Sequence, residues 1–250
     1  MGHIMQCYIL IIVGLFLQAS STDSFPRSIM VTPDAKPLLK SELSHVNTIV
    51  LFSENDNAKI KDSTVAPIAG SRQIHSVVIV GTSDVTDQVF VTLQTLPELA
   101  SFIVDKCNIT DQGMKILATV RSLKYVEITD CRITESGIRC LVQLPNLSAL
   151  HVESCQITSR SFRAFARMKK LVDLDVRENT IDDRIAEFLP RMHHLEKLNL
   201  TGTNVTDKII PQLAKLRSLT ELNITATRVT REAAKELRNR RPKLTVYQFW

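Results

Sequence analysis

Residues 195–207, LEKLNLTGTNVTD, belong to a series, and the series decides the architecture. Aligned copies begin at Leu99 (LASFIVDKCNITD), Leu123 (LKYVEITDCRITE), Leu147 (LSALHVESCQITS), Leu171 (LVDLDVRENTIDD) and Leu219 (LTELNITATRVTR). From Leu99 to Leu219 the starts follow one another every 24 residues without a slip. A looser copy, one residue longer, begins at Ile74 (IHSVVIVGTSDVTD), and a terminal strand begins at Leu244 (LTVYQFW). Self-similarity at a fixed period of this size marks a stack of one supersecondary unit.

Each copy carries the physics of a strand followed by a short helix. The first, fourth and sixth positions are aliphatic or Phe, as in Leu171, Leu174 and Val176. Alternation across the last two makes a strand with one buried face. Thr at the twelfth position (Thr110, Thr134, Thr158, Thr206 and Thr230) suits a helix N-cap, where its hydroxyl accepts an orphan backbone N–H. Asp111, Glu135 and Asp207 follow at the first helical position, where a negative charge complements the helix dipole. Apolar residues then recur three apart, as in Met114, Leu117 and Val120, or Phe162, Phe165 and Met168. One such unit cannot close a core alone, so stacking is obligatory.

The pattern L-x-x-L-x-L-x-x-(C/N/T)-x-(I/V)-T resembles the leucine-rich repeat family over residues 74–250. Cys or Thr at the ninth position, with the I-T-D that follows, is similar to its cysteine-containing type and the 24-residue bacterial relatives. The resemblance implies an α/β fold: a leucine-rich-repeat solenoid, coiled right-handedly, with a parallel concave sheet and short helices on the convex side. It also implies protein binding, the usual role in that family.

The ends read differently. No Asp, Glu, Lys or Arg precedes Asp23, and Tyr8–Leu17 (YILIIVGLFL) is almost wholly apolar, followed by Ala19, Ser20 and Ser21. That arrangement is expected of a signal peptide, or of an uncleaved anchor, over 1–21. An exported protein is the expectation, with membrane contact only through that segment if it is retained. Residues 22–45, with Pro26, Pro33 and Pro37, read as a linker. Residues 46–73 read as an N-terminal capping segment whose strand is VNTIVLF, residues 46–52. Tyr247, Phe249 and Trp250 are expected to cover the last coil.

Cys107, Cys131 and Cys155 stand 24 apart at the ninth position, where other coils carry Asn179, Thr203 and Thr227. That exchange reads as a buried structural column, with no metal and no cofactor: zinc needs four convergent ligands, and no His column completes a set. Unpaired thiols sit in tension with an oxidising compartment.

The third, fifth, seventh and eighth positions from Leu99 onward are expected to face outward on the concave sheet. They carry eight acids (Asp105, Glu127, Asp130, Glu153, Asp173, Asp175, Glu178, Glu221) and three bases (Lys106, Arg177, Lys197). The face is therefore acidic in a chain of formal charge +5. The candidate partner-binding residues are Tyr125, Glu127, His151, Glu153, Asp173, Asp175, Arg177, Glu178 and Lys197. A protein partner of basic character fits such a face. The opposite side is basic through Arg160, Arg163, Arg167, Lys169 and Lys170, and again through Arg238, Arg240, Arg241 and Lys243. That second face offers an alternative role, a structural component of the cell envelope attached through basic convex helices. No catalytic residue is assigned, since no G-x-S-x-G, H-E-x-x-H, P-loop or Rossmann fingerprint occurs. Nucleic acid is not an expected partner, because no aromatic residues interleave with the basic ones to stack bases.

Overall fold

A computed structural model of the chain describes residues 28–32, 42–53, 60–81 and 84–249. Segment 1–21, most of the linker and Trp250 lie outside the described residues.

The repeat period becomes a single parallel sheet. Its strands are β1 (Ser28–Val31), β2 (Thr48–Phe52), β3 (Ser76–Val80), β4 (Ser101–Asp105), β5 (Tyr125–Thr129), β6 (Ala149–Glu153), β7 (Asp173–Asp175), β8 (Lys197–Asn199), β9 (Glu221–Asn223) and β10 (Thr245–Tyr247), paired in chain order. From β4 to β9 the register matches residues 24 apart, Tyr125 with Ala149 and Ala149 with Asp173. The longer copy at Ile74 is absorbed between strands, and Ser76 still pairs with Ser101. The VNTIVLF segment is likewise in register despite its irregular spacing, with Thr48 beside Ser76. Strand β1 falls within residues 22–45, so the sheet reaches into the segment that Pro content marks as linker. Short repeats without the leucine spacing leave no periodic trace, and pairing with β2 is what makes this stretch a strand.

Helices close each coil on the other side. Helix α1 is Val89–Leu93, α2 Asp111–Leu117, α3 Glu135–Leu141, α4 Phe162–Phe165, α5 Ile210–Leu213 and α6 Arg231–Arg240. Between α4 and α5 the coil is closed by tight turns at Asp183–Glu187 and Leu189–Arg191, where Pro190 supplies no backbone donor for a longer helix. The Thr caps form as the sequence indicates: Thr110, Thr134, Thr158 and Thr206 accept from the amide two residues on, and Thr230 from Ala233. Asp182 takes that place in the coil that lacks Thr.

One apolar core runs between the two layers, from Val31 to Leu244, with Phe90, Phe102, Phe162 and Phe165 fully buried. Burying such side chains contributes about 1.5–3 kcal/mol each, and here the contribution is repeated coil by coil. The ninth-position column lies inward. Cys107 and Cys131 donate to the carbonyls of Asp105 and Thr129, Asn179 Nδ2 to Val152, Val176 and Arg177, and Thr203 to Leu200. Thiol, amide and hydroxyl can exchange there because each brings a donor to carbonyls at a strand exit, two or three residues back or, for Cys155, in the coil before.

Of the C-terminal aromatic residues, Tyr247 and Phe249 do not cap the core, and Trp250 lies outside the described residues. Tyr247 is 41% and Phe249 67% exposed. The last coil is closed instead by the backbone of β10, where Ile224 N–H donates to Tyr247 and Ala226 N–H to Phe249. Arg241 adds bonds to the carbonyls of Leu216, Arg217 and Leu219. Among the described residues no helix is long and apolar enough to cross a membrane.

Candidate functional site: the concave sheet

Side chains that point away from the core form the concave face, and its two halves differ in chemistry. Over β2–β4 the outward column is apolar: Val50, Phe52, Val78, Val80 and Ile103 form a second buried cluster, each between 2% and 8% exposed. The columns counted from Leu99 omit four of these five residues. Their signal was nonetheless present, because TIVLF and VVIV are continuous apolar runs without alternation, the mark of a strand buried on both faces.

Tyr125 on β5 marks the boundary. Its ring packs against the apolar cluster, and it meets the His151 ring edge-on, centroids 5.0 Å apart. Beyond it the face is polar and half-buried over β5–β7, where the 24-residue register lines up Glu127, His151 and Asp175, and Asp173 meets His151 from the adjoining row. The Tyr125 hydroxyl donates to Glu127 Oε2 and lies 3.0 Å from His151 Nδ1. On the other side of the ring, His151 Nε2 is 3.3 Å from Asp173 Oδ1.

These contacts set the protonation states. Burial opposes a charge on His151, but the bond to Asp173 and the charges of Asp173, Asp175 and Glu127 together outweigh it, and the pKa is raised. The geometry agrees: with both nitrogens protonated, Nδ1–H donates to the Tyr125 oxygen while that hydroxyl donates onward to Glu127. Burial first, then the neighbouring Glu127 carboxylate, pushes the Tyr125 phenol up. The phenol and an imidazole that holds its proton more tightly than usual are thus placed between the carboxyl groups of Glu127 and Asp173.

A second group adjoins the first. Arg177 Nε lies 3.0 Å from Glu153 Oε2 and 3.4 Å from Asp175 Oδ2. Asp175 is only 6% exposed, and it also accepts from the Arg177 amide and from Asn199 Nδ2. Its carboxylate therefore organises the sheet from within, while Asp173, Glu153 and Arg177 stay half-exposed. Burial raises the pKa of Glu153 against the lowering by Arg177, with Asp175, Glu127 and Asp105 adding to the rise. Burial likewise raises that of Asp105.

The remaining candidates stand apart. Lys197 on β8 faces Glu221 at 3.8 Å, both well exposed. Glu178 belongs to the eighth-position column, which leaves the strand in left-handed backbone: Lys106, Asp130, Ser154, Glu178 and Ala226 have φ between 48° and 55°, and Gly202 66°. That column forms the turn at one rim of the sheet. Among the described residues, no group of three or more His, Cys, Asp or Glu is placed to hold a metal.

The repeat and its ten-stranded parallel sheet have the architecture of a leucine-rich-repeat solenoid. The leucine rich repeat family model matches residues 121–142 and 191–210. An internalin (inlF) of Listeria monocytogenes superposes with a TM-score of 0.58 at 18% identity, covering 84% of this chain and 63% of that one. The chain thus spans less than two thirds of that structure. An internalin C2 (inlC2) of the same organism gives 0.55 at 18% identity, covering 85% and 84%. A protein from Bacteroides fragilis gives 0.61 at 16%, covering 83% and 66%. No curated protein matches the chain.

Proposed function

We propose that this chain is a non-catalytic protein-binding module, exported from the cell, that recognises a partner of basic character through the concave face of β5–β9. The observation that carries the reading is the interlocked group Tyr125–Glu127–His151–Asp173 beside Glu153–Arg177–Asp175. Groups held by one another on a rigid sheet lose little freedom on binding, which favours affinity. Asp173 and Glu153 retain exposed surface, and Asp130, Glu178 and Glu221 extend the acidic surface toward the rim. Steering of a basic partner follows from that surplus of negative charge. An aromatic residue with a polar tip, Tyr125, stands where an apolar segment meets the charged one, a common place for an anchor. The internalin-like fold supports the reading at the level of architecture.

The test is capture by the immobilised full chain beside the double variant Asp173→Lys and Glu178→Lys, which leaves the internally bonded Asp175 in place. A basic protein retained by the wild type, lost by the variant and released by high salt supports the proposal. Equal retention by both chains overturns the acidic-face reading.

A further inference from the structure

Opposite the concave residues in chemistry, and separate from them in space, lies the rim where each helix returns to the next strand. There the 24-residue period stacks basic side chains. Arg167, Arg191 and Lys215 form one column, and Lys169, His193 and Arg217 a second, with Lys170 and His194 beside them; all eight are exposed. Six of them carry fixed positive charge, and the acids nearest in the chain are Glu196, two residues from His194, and Asp173, three from Lys170. The structure separates this rim from Arg160 and Arg163, which belong to the convex turn and to α4.

Neighbouring loops touch directly. Lys170 Nζ bonds Asn146 Oδ1 at 2.9 Å across one interval, and Ser218 Oγ bonds the Leu195 carbonyl at 2.7 Å across another. Between the middle pair lies a groove of about 380 Å³, floored by Phe165, Met168, Leu171 and Met192 and edged by Lys169, Arg191, His193 and His194. The backbone positions that carry these residues therefore recur about 5 Å apart per coil, just ahead of the strands, in a line along the solenoid axis.

From this array we infer that the helix-to-strand rim of the coils at Lys169, His193 and Arg217 binds a linear, phosphate-bearing polyanion laid across successive loops. Six charges over three coils exceed what one small anion contacts, so the fit is to a polymer. Three of the six are Arg, whose fork geometry matches phosphate oxygens in pairs. A lipid surface fits less well, because the large apolar residues exposed among the described residues, Met30, Val91, Tyr247 and Phe249, all lie elsewhere and none of these four is placed to insert. Single-stranded nucleic acid lacks an aromatic platform here for its bases. The polymer site is independent of the concave face.

The experiment titrates the full chain with long-chain inorganic polyphosphate, following binding by calorimetry at several salt concentrations. The rim variant Lys169→Glu, Arg191→Glu, Arg217→Glu is compared with wild type and with the concave variant Asp173→Lys, Glu178→Lys, each checked for an unchanged circular-dichroism spectrum. The milder variant Lys169→Ala, Arg217→Ala serves if the first misfolds. Wild type and concave variant should bind alike, the rim variant at least about tenfold more weakly, with a log–log salt slope smaller by roughly one per lost phosphate contact. Equal binding by wild type and rim variant overturns the inference. So does binding of inorganic phosphate as tight as that of the polymer, or equal binding of polyglutamate. Sedimentation with phosphatidylglycerol vesicles but no polyphosphate binding assigns the rim to a membrane instead and overturns it too.

Discussion

The Asp111 carboxylate accepts two hydrogen bonds from Thr134 in the next coil, from its backbone N–H at 2.8 Å and from its hydroxyl at 2.5 Å. The same pairing links Asp62 to Thr86, Asp87 to Thr110, Asp183 to Thr206 and Asp207 to Thr230. The acid at the helix start thus does more than answer its own dipole: in these five pairs it ties an N-cap Thr to the coil before it. Between the coils at Ser159 and Asp182 the roles reverse, with the serine hydroxyl bonded to the aspartate. Replacing Asp111 by Ala should cost about 2 kcal/mol, the loss of charge-assisted bonds to a cap that is left half-buried. Glu135, one methylene longer, shows no such bond to Thr158 among the described residues, and Glu135→Ala should stay within about 0.5 kcal/mol. Urea unfolding of the two variants measures the contrast, and equal losses would refute the inter-coil role.

Gly137 exists to make room for that carboxylate. A Cβ at this position would stand 2.5 Å from Asp111 Oδ1 and 3.1 Å from Met114 Cγ. Gly137→Ala should therefore destabilise by about 1–3 kcal/mol, as overpacking does. Gly70→Ala supplies a comparison of another kind: its surroundings are open, but φ is +73°, so only the backbone penalty of about 1 kcal/mol applies. Combining Gly137→Ala with Asp111→Ala should cost less than the sum of the singles, since both act on one contact.

The His151 group makes stability depend on pH. Its pKa is raised in the fold above the ordinary 6.5, so the folded state holds this proton more tightly. The stabilisation is complete below the unfolded value and is lost as pH rises through the folded one. Asp105 and Glu153, also raised, act the same way lower on the scale: folding favours their protonated forms, and stability falls as each ionises above its unfolded pKa. Thermal midpoints should thus decline as pH rises from near 6.5, and His151→Gln should flatten that part of the curve. An NMR titration giving His151 a pKa at or below 6.5 would remove the argument.

The cysteine column predicts chemical inertness. Burial pushes the Cys131 thiol far up and that of Cys155 up to about 11, so neither offers appreciable thiolate near neutrality. Both should resist iodoacetamide in the folded protein and react fully in denaturant, followed by mass spectrometry peptide by peptide. Rapid labelling of Cys131 under native conditions would mean that the column opens.

Legibility followed periodicity. Six starts at one spacing gave the strands β4–β9, the caps and the inward ninth position, because each repeats a chemical requirement that the next coil must also meet. Strand β1 was not legible: SIMV has no leucine spacing, and only the edge of β2 makes it a strand. The concave candidates were legible as a set of outward positions, but not in their separate roles. Nothing in an Asp at the fifth position announces that Asp175 is buried between Arg177 and Asn199 while Asp173, against His151, stays half-exposed.

What the sequence by itself determined is the repeating unit, since the 24-residue period, the apolar positions and the Thr caps are local properties of the chain. What only the tertiary structure decided is which residues from different coils share a surface. Register sets Glu127, His151 and Asp175 side by side across three strands, with Tyr125 and Asp173 reaching His151 from the adjoining row, and the register of β7, β8 and β9 puts Lys169, His193 and Arg217 at equivalent places on the opposite rim. Charge and burial at a point depend on neighbours tens of residues away, and those neighbours exist only once the coils have stacked.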